Sequence, residues 1–426
     1  MLLIHSGRVV DPARSFDGPA DVLIEGDRIA RVGPKLDASA AADAERFDAS
    51  GLIVAPGFID LHCHLREPGN EPAETIESGT RAAACGGFTA VCCMPNTQPV
   101  NDNASVTRFI LDRAAAAAAV RVWPIGAASH GSLGESLAEI AAMKEAGIVA
   151  VTDDGKPIAT AKLLRHVMEY ARSLDLPVIE HSEDASLFAG GVMREGPTSV
   201  RLGLRGIPAV AESICVARDV QVCTLTGARL HVAHMSAKES LELVREAKRR
   251  GLPVTCEVTP HHFTLTDEDV VYDSRYKMNP PLASRDDRDA LLTGLADGGV
   301  DAIATDHAPH TQASKDVEFD RAPFGVTGFE TALGLALEAL VHSGRAPLAR
   351  VVELFTSGPA RVLGKKRTIA PGEPADLTLF STDHRWTFRA AESASKSRNT
   401  PFDGRSFRGG PMATIVAGRI VWRRKT

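Results

Sequence analysis

The spacing of apolar positions changes twice along the chain. Over the first fifty-odd residues short alternating stretches, LLIHSGRVV, ADVLIEGDRIARVG and GLIVAPG, are separated by Gly, Asp and Pro. A period of two punctuated by turn residues predicts hairpins. The last sixty residues read the same way in ADLTLF, RWTF and ATIVAGRIVWRR, with Ala417-Gly418 placed as a tight turn. Residues 1–55 and 366–426 are together expected to form a small β-sandwich domain, which brings the two ends of the chain together beside the main body.

Between them, residues 56–365 carry eight near-continuous apolar runs: FIDLHCH (58–64), FTAVCCM (88–94), VRVWPIG (120–126), GIVAVTD (147–153), LPVIEH (176–181), RLHVAH (229–234), LPVTCEV (252–258) and VDAIATD (300–306). Helix-like stretches alternate with them, among them ETIESGTRAAACG, SLAEIAAMKEAG, AKLLRHVMEYARSLD, AKESLELVREAKRRG and RDDRDALLTGLADGG. Glycine after the last periodic residue marks several helix ends. Strands apolar on both faces suit a parallel sheet covered by helices, so eight strand–helix units predict an α/β fold, a (β/α)8 TIM-type barrel. The alanine tract 114–119 is expected on a small-residue face of a helix. The polar connection HAPHTQASKDVEFDRAP (307–323) is either a lid over the site or an ordinary exposed loop.

Candidate chemistry sits at the ends of these runs. GFIDLHCHLREPG (57–69) puts His62 and His64 one residue apart on one side of a strand, as two ligands of one metal ion must be. Cys63 then faces the other side, into packing. His181 closes LPVIEH, His234 closes RLHVAH, Asp153 and Asp154 close GIVAVTDD, and Asp306 closes VDAIATD. In a barrel all of them fall at the C-terminal mouth, which explains how residues so far apart in sequence converge. The pattern points to a metal-dependent hydrolase. Strand alternation lets only one of Asp153 and Asp154 face inward.

Composition narrows the reading without changing it. A chain of 426 residues with 44% hydrophobic content can bury a large core. Its net charge of −6 arises from intermixed acids and bases with no long basic run, so a small-molecule partner is expected and a nucleic-acid or membrane partner is not. Seven cysteines without framework spacing suit a reduced, cytoplasmic protein. Neither an export signal nor an apolar run of membrane-spanning length is visible.

The blocks DLHCHLREPG, CMPNTQPV, TDDG, EHSED, HVAHMSAKES, EVTPHH, YKMNPPL, ATDHAPH and RAPFGVTGFE together resemble dihydroorotases of the bacterial long-chain type, in the amidohydrolase superfamily. The resemblance spans nearly the whole chain. It implies that His62, His64 and Asp306 hold one zinc, that His181 and His234 hold a second, and that Asp154, rather than Asp153, bridges them. One or two zinc ions per chain fit that set. Asp306 also matches the catalytic acid/base, which would take a proton from zinc-activated water and pass it to the departing ring nitrogen. The implied reaction interconverts N-carbamoyl-L-aspartate and L-dihydroorotate in pyrimidine biosynthesis.

Substrate residues follow from the same match. Arg66, on the face of His64, can grip a carboxylate bidentately. His64, Asn96, Asn279, His310 and the Phe324-Gly325 backbone match the remaining substrate contacts. On residue type alone, Arg66 could equally form a surface salt bridge with Glu67, and Asn96 could cap a turn before Pro99. His261 and His262 are read as supporting the ligands rather than as ligands. Lys156 is read as a solvated lysine and not the carboxylated lysine of hydantoinases. Two other functions stay open: a hydantoinase or allantoinase type of cyclic amidohydrolase, and a non-catalytic homologue that partners aspartate transcarbamoylase. Relatives of the first kind carry lysine where this chain has TDD, and those of the second lose ligands that this chain keeps. A homodimer and an active enzyme bound to the transcarbamoylase are further expectations.

Overall fold

The structure, a computed structural model, describes residues 1–36 and 44–425. Eight parallel strands form the barrel: β1 (Phe58–Cys63), β2 (Phe88–Cys93), β3 (Arg121–Pro124, resuming at Gly126–Ala127), β4 (Val151–Thr152), β5 (Val178–Glu180), β6 (Leu230–Val232), β7 (Val254–Val258) and β8 (Ala302–Ile303). Each pairs parallel with the next, from Ile59 beside Ala90 round to Glu257 beside Ala302. The ring closes where Cys63 bridges His307, with the His64 N–H donating to His307 O at 2.8 Å, and where Asp60 accepts from the Thr305 N–H at 2.9 Å. Every predicted run supplies a strand, shorter than the run itself.

Side-chain alternation sorts the strands into two cores. Ile59, Leu61, Ala90, Cys92, Ile125, Ala150, Ile179, Ala233, Ala302 and Ala304 pack together inside the barrel. Phe58, Phe88, Val91, Val178, Leu230, Val232 and Val254 face outward to the helices. β1 departs from strict alternation, because its register against β2 shifts between Asp60 and Cys63. That irregularity lets Ile59 and Leu61 fill the interior while His62 and His64 still share one cavity, and Cys63 packs outward with its S–H donating to Cys92 O at 3.2 Å.

The helices follow their sequence signals. Thr75 caps Ile76–Cys85, Thr160 caps Ala161–Ser173 and Ser284 caps Arg285–Asp297, each accepting from a backbone N–H three residues on. The alanine tract is only partly helical, since the helix Ala104–Ala117 ends inside it. The longest helix, Val210–Thr226, has no counterpart among the predicted stretches. Its buried side includes Glu212, which accepts from the Ser236 and Ala237 N–H groups, and Asp219, which accepts from Ser182 Oγ. Those inward carboxylates break the apolar period that would announce a helix.

The two ends build two packed sheets. Arg28–Gly33, Asp21–Glu25, Leu2–His5 and Glu45–Asp48 form one; Arg419–Arg423, Ser406–Val416, Leu377–Thr387, Ile53–Pro56, Arg8–Asp11 and Phe16–Pro19 form the other. Leu2, Ile4, Val22, Ile24 and Phe47 meet Val9, Val54, Leu377, Leu379 and Ile415 between the sheets. The alternate residues Val10, Ile53, Ala55 and Phe380 turn to the barrel core. ADLTLF and RWTF are one 11-residue strand instead of two. Ala417 and Gly418, with φ of 49° and 75°, make the tight turn that joins the last two strands. Connection 307–323 lies against the mouth, with Lys315, Phe319 and Ala322 buried while 312–313 and 316–318 are exposed. Among the described residues all seven cysteines are free, and no helix is long and apolar enough to cross a membrane.

Candidate active site

Strand ends deliver the polar residues to one cavity of about 360 Å³ at the mouth. His62, His64, Arg66, Asn96, Asp154, His181, His234, Asn279, Asp306, His310, Phe324 and Gly325 all line it. Just past β4, Asp154 lines the cavity, whereas Asp153 turns toward β3 and accepts from the Ala128 and Ser129 N–H groups at 3.0 and 2.9 Å. Asp154 therefore stands among the histidines: its Oδ1 lies 3.1 Å from His62 Nε2, 3.8 Å from His181 Nδ1 and 3.7 Å from His234 Nε2. Asp306 Oδ1 lies 3.1 Å from His64 Nε2 and 3.6 Å from His62 Nε2. Arg66, His234 and Asp306 hold positive φ values of 60°, 29° and 44°. A left-handed backbone at a non-glycine residue costs about 1–3 kcal/mol, and three such residues line the cavity.

His62 and His64 are oriented from behind. His62 Nδ1–H donates to Glu257 Oε1 at 3.2 Å, and the other oxygen of Glu257 lies 3.1 Å from His231 Nε2. His64 Nδ1–H donates to Asn96 Oδ1 at 2.9 Å. Both rings thereby present a bare Nε2 to the cavity. Burial works against charge throughout, but partners decide the outcome. Asp154 and Asp306 stay well below the usual carboxylate range through His62 and His64, and Glu257 is held at about 2 by its hydrogen bonds to His231 and His62. His62 is raised by Asp154 and Glu257, whereas burial lowers His234.

These residues fit a divalent cation. His62 Nε2, Asp154 Oδ1 and His234 Nδ1 are buried without a hydrogen-bond partner, and an orphaned buried polar atom costs about 1–3 kcal/mol. His181 Nδ1 and His234 Nε2 lie 2.9 Å apart. Two sets of donor atoms, His62–His64–Asp154 and Asp154–His181–His234, each gather within 4.8 Å, and Asp154 belongs to both. Imidazole nitrogens with carboxylate oxygens are the donor chemistry of a zinc-type site.

The substrate-side residues resolve their alternatives. Glu67 pairs with Arg113 at 2.8 Å, so Arg66 is not its partner; Arg66 Nε donates to Pro309 O at 3.1 Å while the rest of its guanidinium faces the cavity. Burial lowers Arg66 to about 10, still cationic at neutral pH. Asn96 orients His64 rather than capping a turn. Asn279 Nδ2 donates to Glu183 Oε2 at 3.2 Å and lies 3.1 Å from His181 Nε2. His310 Nε2–H donates to Phe324 O at 2.7 Å, and burial beside Arg66 pushes its pKa down to about 3. His262 lies 2.8 Å from Pro280 O and 2.7 Å from Thr259 Oγ1, beneath the mouth. His261 is buried beside it without lining the cavity. Lys156 is exposed and reaches Ser132 O at 3.4 Å.

A family model described as dihydro-orotase-like matches residues 51–240. A dihydroorotase from Solibacter usitatus is 57% identical over 427 aligned residues, which cover 100% of this chain and 99% of that protein. One from Syntrophotalea carbinolica is 52% identical, covering 99% of each. The chain belongs to the dihydroorotase family. Among solved structures, an L-hydantoinase (dihydropyrimidinase) from Arthrobacter aurescens matches with a TM-score of 0.89 over 100% of this chain and 96% of that one, at 24% identity, which shows the shared fold alone.

Reading this dihydroorotase-family chain as sequence misses four residues at its site. Glu257 and Glu183, which hold His62 and His181, lie in the quoted blocks EVTPHH and EHSED, where Glu257 is a carboxylate inside an apolar run and Glu183 one acid in a polar stretch. Phe188, whose ring sits 5.7 Å from that of Phe324, is one apolar residue among many. Asn399 falls in the C-terminal segment, far from every block, yet bonds to the loops of the mouth.

Proposed function

We propose that this chain is a zinc-dependent dihydroorotase, a hydrolase of a cyclic amide that interconverts L-dihydroorotate and N-carbamoyl-L-aspartate in pyrimidine biosynthesis. The observation that carries the reading is a half-buried, cationic Arg66 sharing one cavity with two histidine–carboxylate donor sets. His62, His64 and Asp306 would hold one zinc and His181 and His234 a second, with Asp154 common to both. Bound zinc lowers the pKa of water to about 7 and polarises a carbonyl oxygen, which a poor electrophile such as a ring amide needs.

The remaining chemistry belongs to side chains of this protein. Arg66 pairs with the carboxylate carried off the ring, and Asn96 and His310 border the same end. Asn279 and the Phe324-Gly325 backbone line the ring edge, while Phe188 and Phe324 exclude water beside it. Asp306 is the base that takes the proton of the attacking water and returns it to the ring nitrogen as the carbon–nitrogen bond breaks. In the reverse direction the ureido nitrogen adds to the side-chain carboxyl carbon, that nitrogen loses a proton through Asp306, and water departs.

Purified protein assayed with dihydroorotate, N-carbamoyl-aspartate, hydantoin and allantoin, before and after chelation, tests this. Turnover of the first pair, lost with chelator and restored by zinc, is the expected result. Preference for hydantoin or allantoin would move the chain to the hydantoinase class, and no turnover with metal bound would make it a non-catalytic partner. Metal analysis decides between one and two ions per chain. The reading places the enzyme in the cytoplasm as a homodimer able to meet aspartate transcarbamoylase, which light scattering of the protein alone and mixed with that enzyme would check.

A further inference from the structure

One wall of the cavity is a short stretch of backbone, and what fixes that wall lies outside the cavity. Lys315 Nζ donates to Pro323 O at 2.9 Å, to Gly325 O at 3.1 Å and to Lys277 O at 3.4 Å. Asn399 Nδ2 donates to Gly325 O and to Ala308 O, both at 3.0 Å, and its Oδ1 accepts from the His310 N–H at 3.1 Å. Its own carbonyl accepts from the Thr327 N–H at 2.9 Å. Gly325 O is thus gripped from two sides, the Gly325 N–H is taken by Lys277 O at 2.9 Å, and Phe324 O is taken by His310. Lys315 and Asn399 are both about 4% exposed and neither lines the cavity.

The packing leaves the wall little room to shift. A Cβ on Gly325, which has a φ of +134°, would meet Ala308 Cβ at 2.8 Å, Ala308 O at 2.9 Å and His310 Nε2 at 3.0 Å. A buried lysine amine with three carbonyl partners and a buried amide with both donors and its acceptor in use are costly groups to desolvate, and each persists only where its geometry is satisfied. Both grip loop 323–325, which carries the ring-edge backbone, and Asn399 also reaches loop 308–310, which carries His310.

We propose that Asn399 and Lys315 form a clasp that sets substrate affinity, as positioning residues that hold His310 and the Phe324-Gly325 wall at a fixed distance from the histidine cluster. The inference rests on the dihydroorotase reading above. Displacement of a binding group by about 1 Å is enough to cost up to about 100-fold, and neither residue has to touch substrate for that. The clasp contacts no residue of the two donor sets, so metal binding and the proton-transfer groups stay in place when it is broken.

Asn399→Asp keeps the shape and turns both donors into acceptors facing two carbonyl oxygens; Lys315→Met keeps most of the length and removes the donors. Each variant is expected to raise KM for dihydroorotate about 10-fold or more while kcat changes less than about 3-fold. Zinc per chain should equal that of the wild type. A clasp that served stability alone would lower the thermal midpoint and leave KM where it was. Unchanged KM in both variants, beside an active wild type, overturns this inference and spares the earlier reading. Loss of zinc and of folded structure in both variants also overturns it, since the pair would then be general scaffold. A wild-type protein inactive on dihydroorotate would sink the earlier reading, and this one with it.

Discussion

Asp306 and Arg66 line one cavity under different proposed roles, and kinetics can separate them. Asp306 Oδ1 sits 3.1 Å from His64 Nε2, close enough to the donor set to exchange a proton there. Removing a general acid/base costs about 10²- to 10⁴-fold, so Asp306→Ala should lose that much kcat. Metal content must be measured alongside, because the same carboxylate borders the donor atoms. Near-normal turnover with metal bound would refute its role. Arg66→Ala should instead raise KM for dihydroorotate about 10- to 100-fold, the worth of a charge-assisted hydrogen bond, with zinc unchanged. An equal loss on an uncharged ring amide would mark Arg66 as structural. At this scale the sequence shows residue types well and orientation poorly. His62 and His64 were legible from their spacing, yet the fact that Asn96 and Glu257 choose which nitrogen each ring presents depends on neighbours 32 and 195 residues away.

Barrel strands explain both what could be read and what could not. A strand buried on both faces must be apolar wherever it has no special task, so a histidine or aspartate ending such a run stands out, and His181, His234, Asp154 and Asp306 all did. Inside the runs the same logic hides the support. Glu257 in β7 links His62 to His231, whose Nδ1 lies 2.8 Å from Thr255 Oγ1. Glu257→Gln keeps the volume but weakens the acceptor that fixes the His62 ring, and zinc affinity should fall about 10- to 100-fold. Competition with a chelator would measure it, and an unchanged dissociation constant would show that the link is inert. The helix Val210–Thr226 was missed for a related reason: Glu212 and Asp219 point inward and spoil its apolar stripe.

At the scale of the whole molecule, the sandwich and the barrel are tied by a buried ion network. Asp376 accepts from Arg121, at the start of β3, at 2.7 and 3.0 Å, and from Arg367 at 2.7 Å, and it also holds the Ala417 N–H at 2.9 Å. Burial opposes its charge, but these two arginines keep the carboxyl below its ordinary value. A depressed folded-state pKa means a contribution fully present above the unfolded value, about 4, and lost as the pH falls from there through the folded value. Denaturation midpoints should therefore drop more steeply below about pH 4 in the wild type than in Asp376→Asn. That variant should itself be less stable by about 3–5 kcal/mol at neutral pH, since Arg367 would be left buried and unpaired. Equal acid sensitivity of the two proteins would exclude the network as its source.

The sequence by itself determined the order of strands and helices, the β-rich ends, the polar residues set at the strand tips and the resemblance to a family. Each of these is written in local period or in local motif, because burial on a regular element repeats every two or every 3.6 residues. Only the tertiary structure decided which atoms meet. It set Asp154 inward and Asp153 outward, gave Gly325 O two donors from residues 315 and 399, and turned His62 into the cavity through a register shift in β1. Contacts of that kind join residues from 10 to 92 positions apart, and the pairing is fixed by how the closed barrel packs and not by any local period.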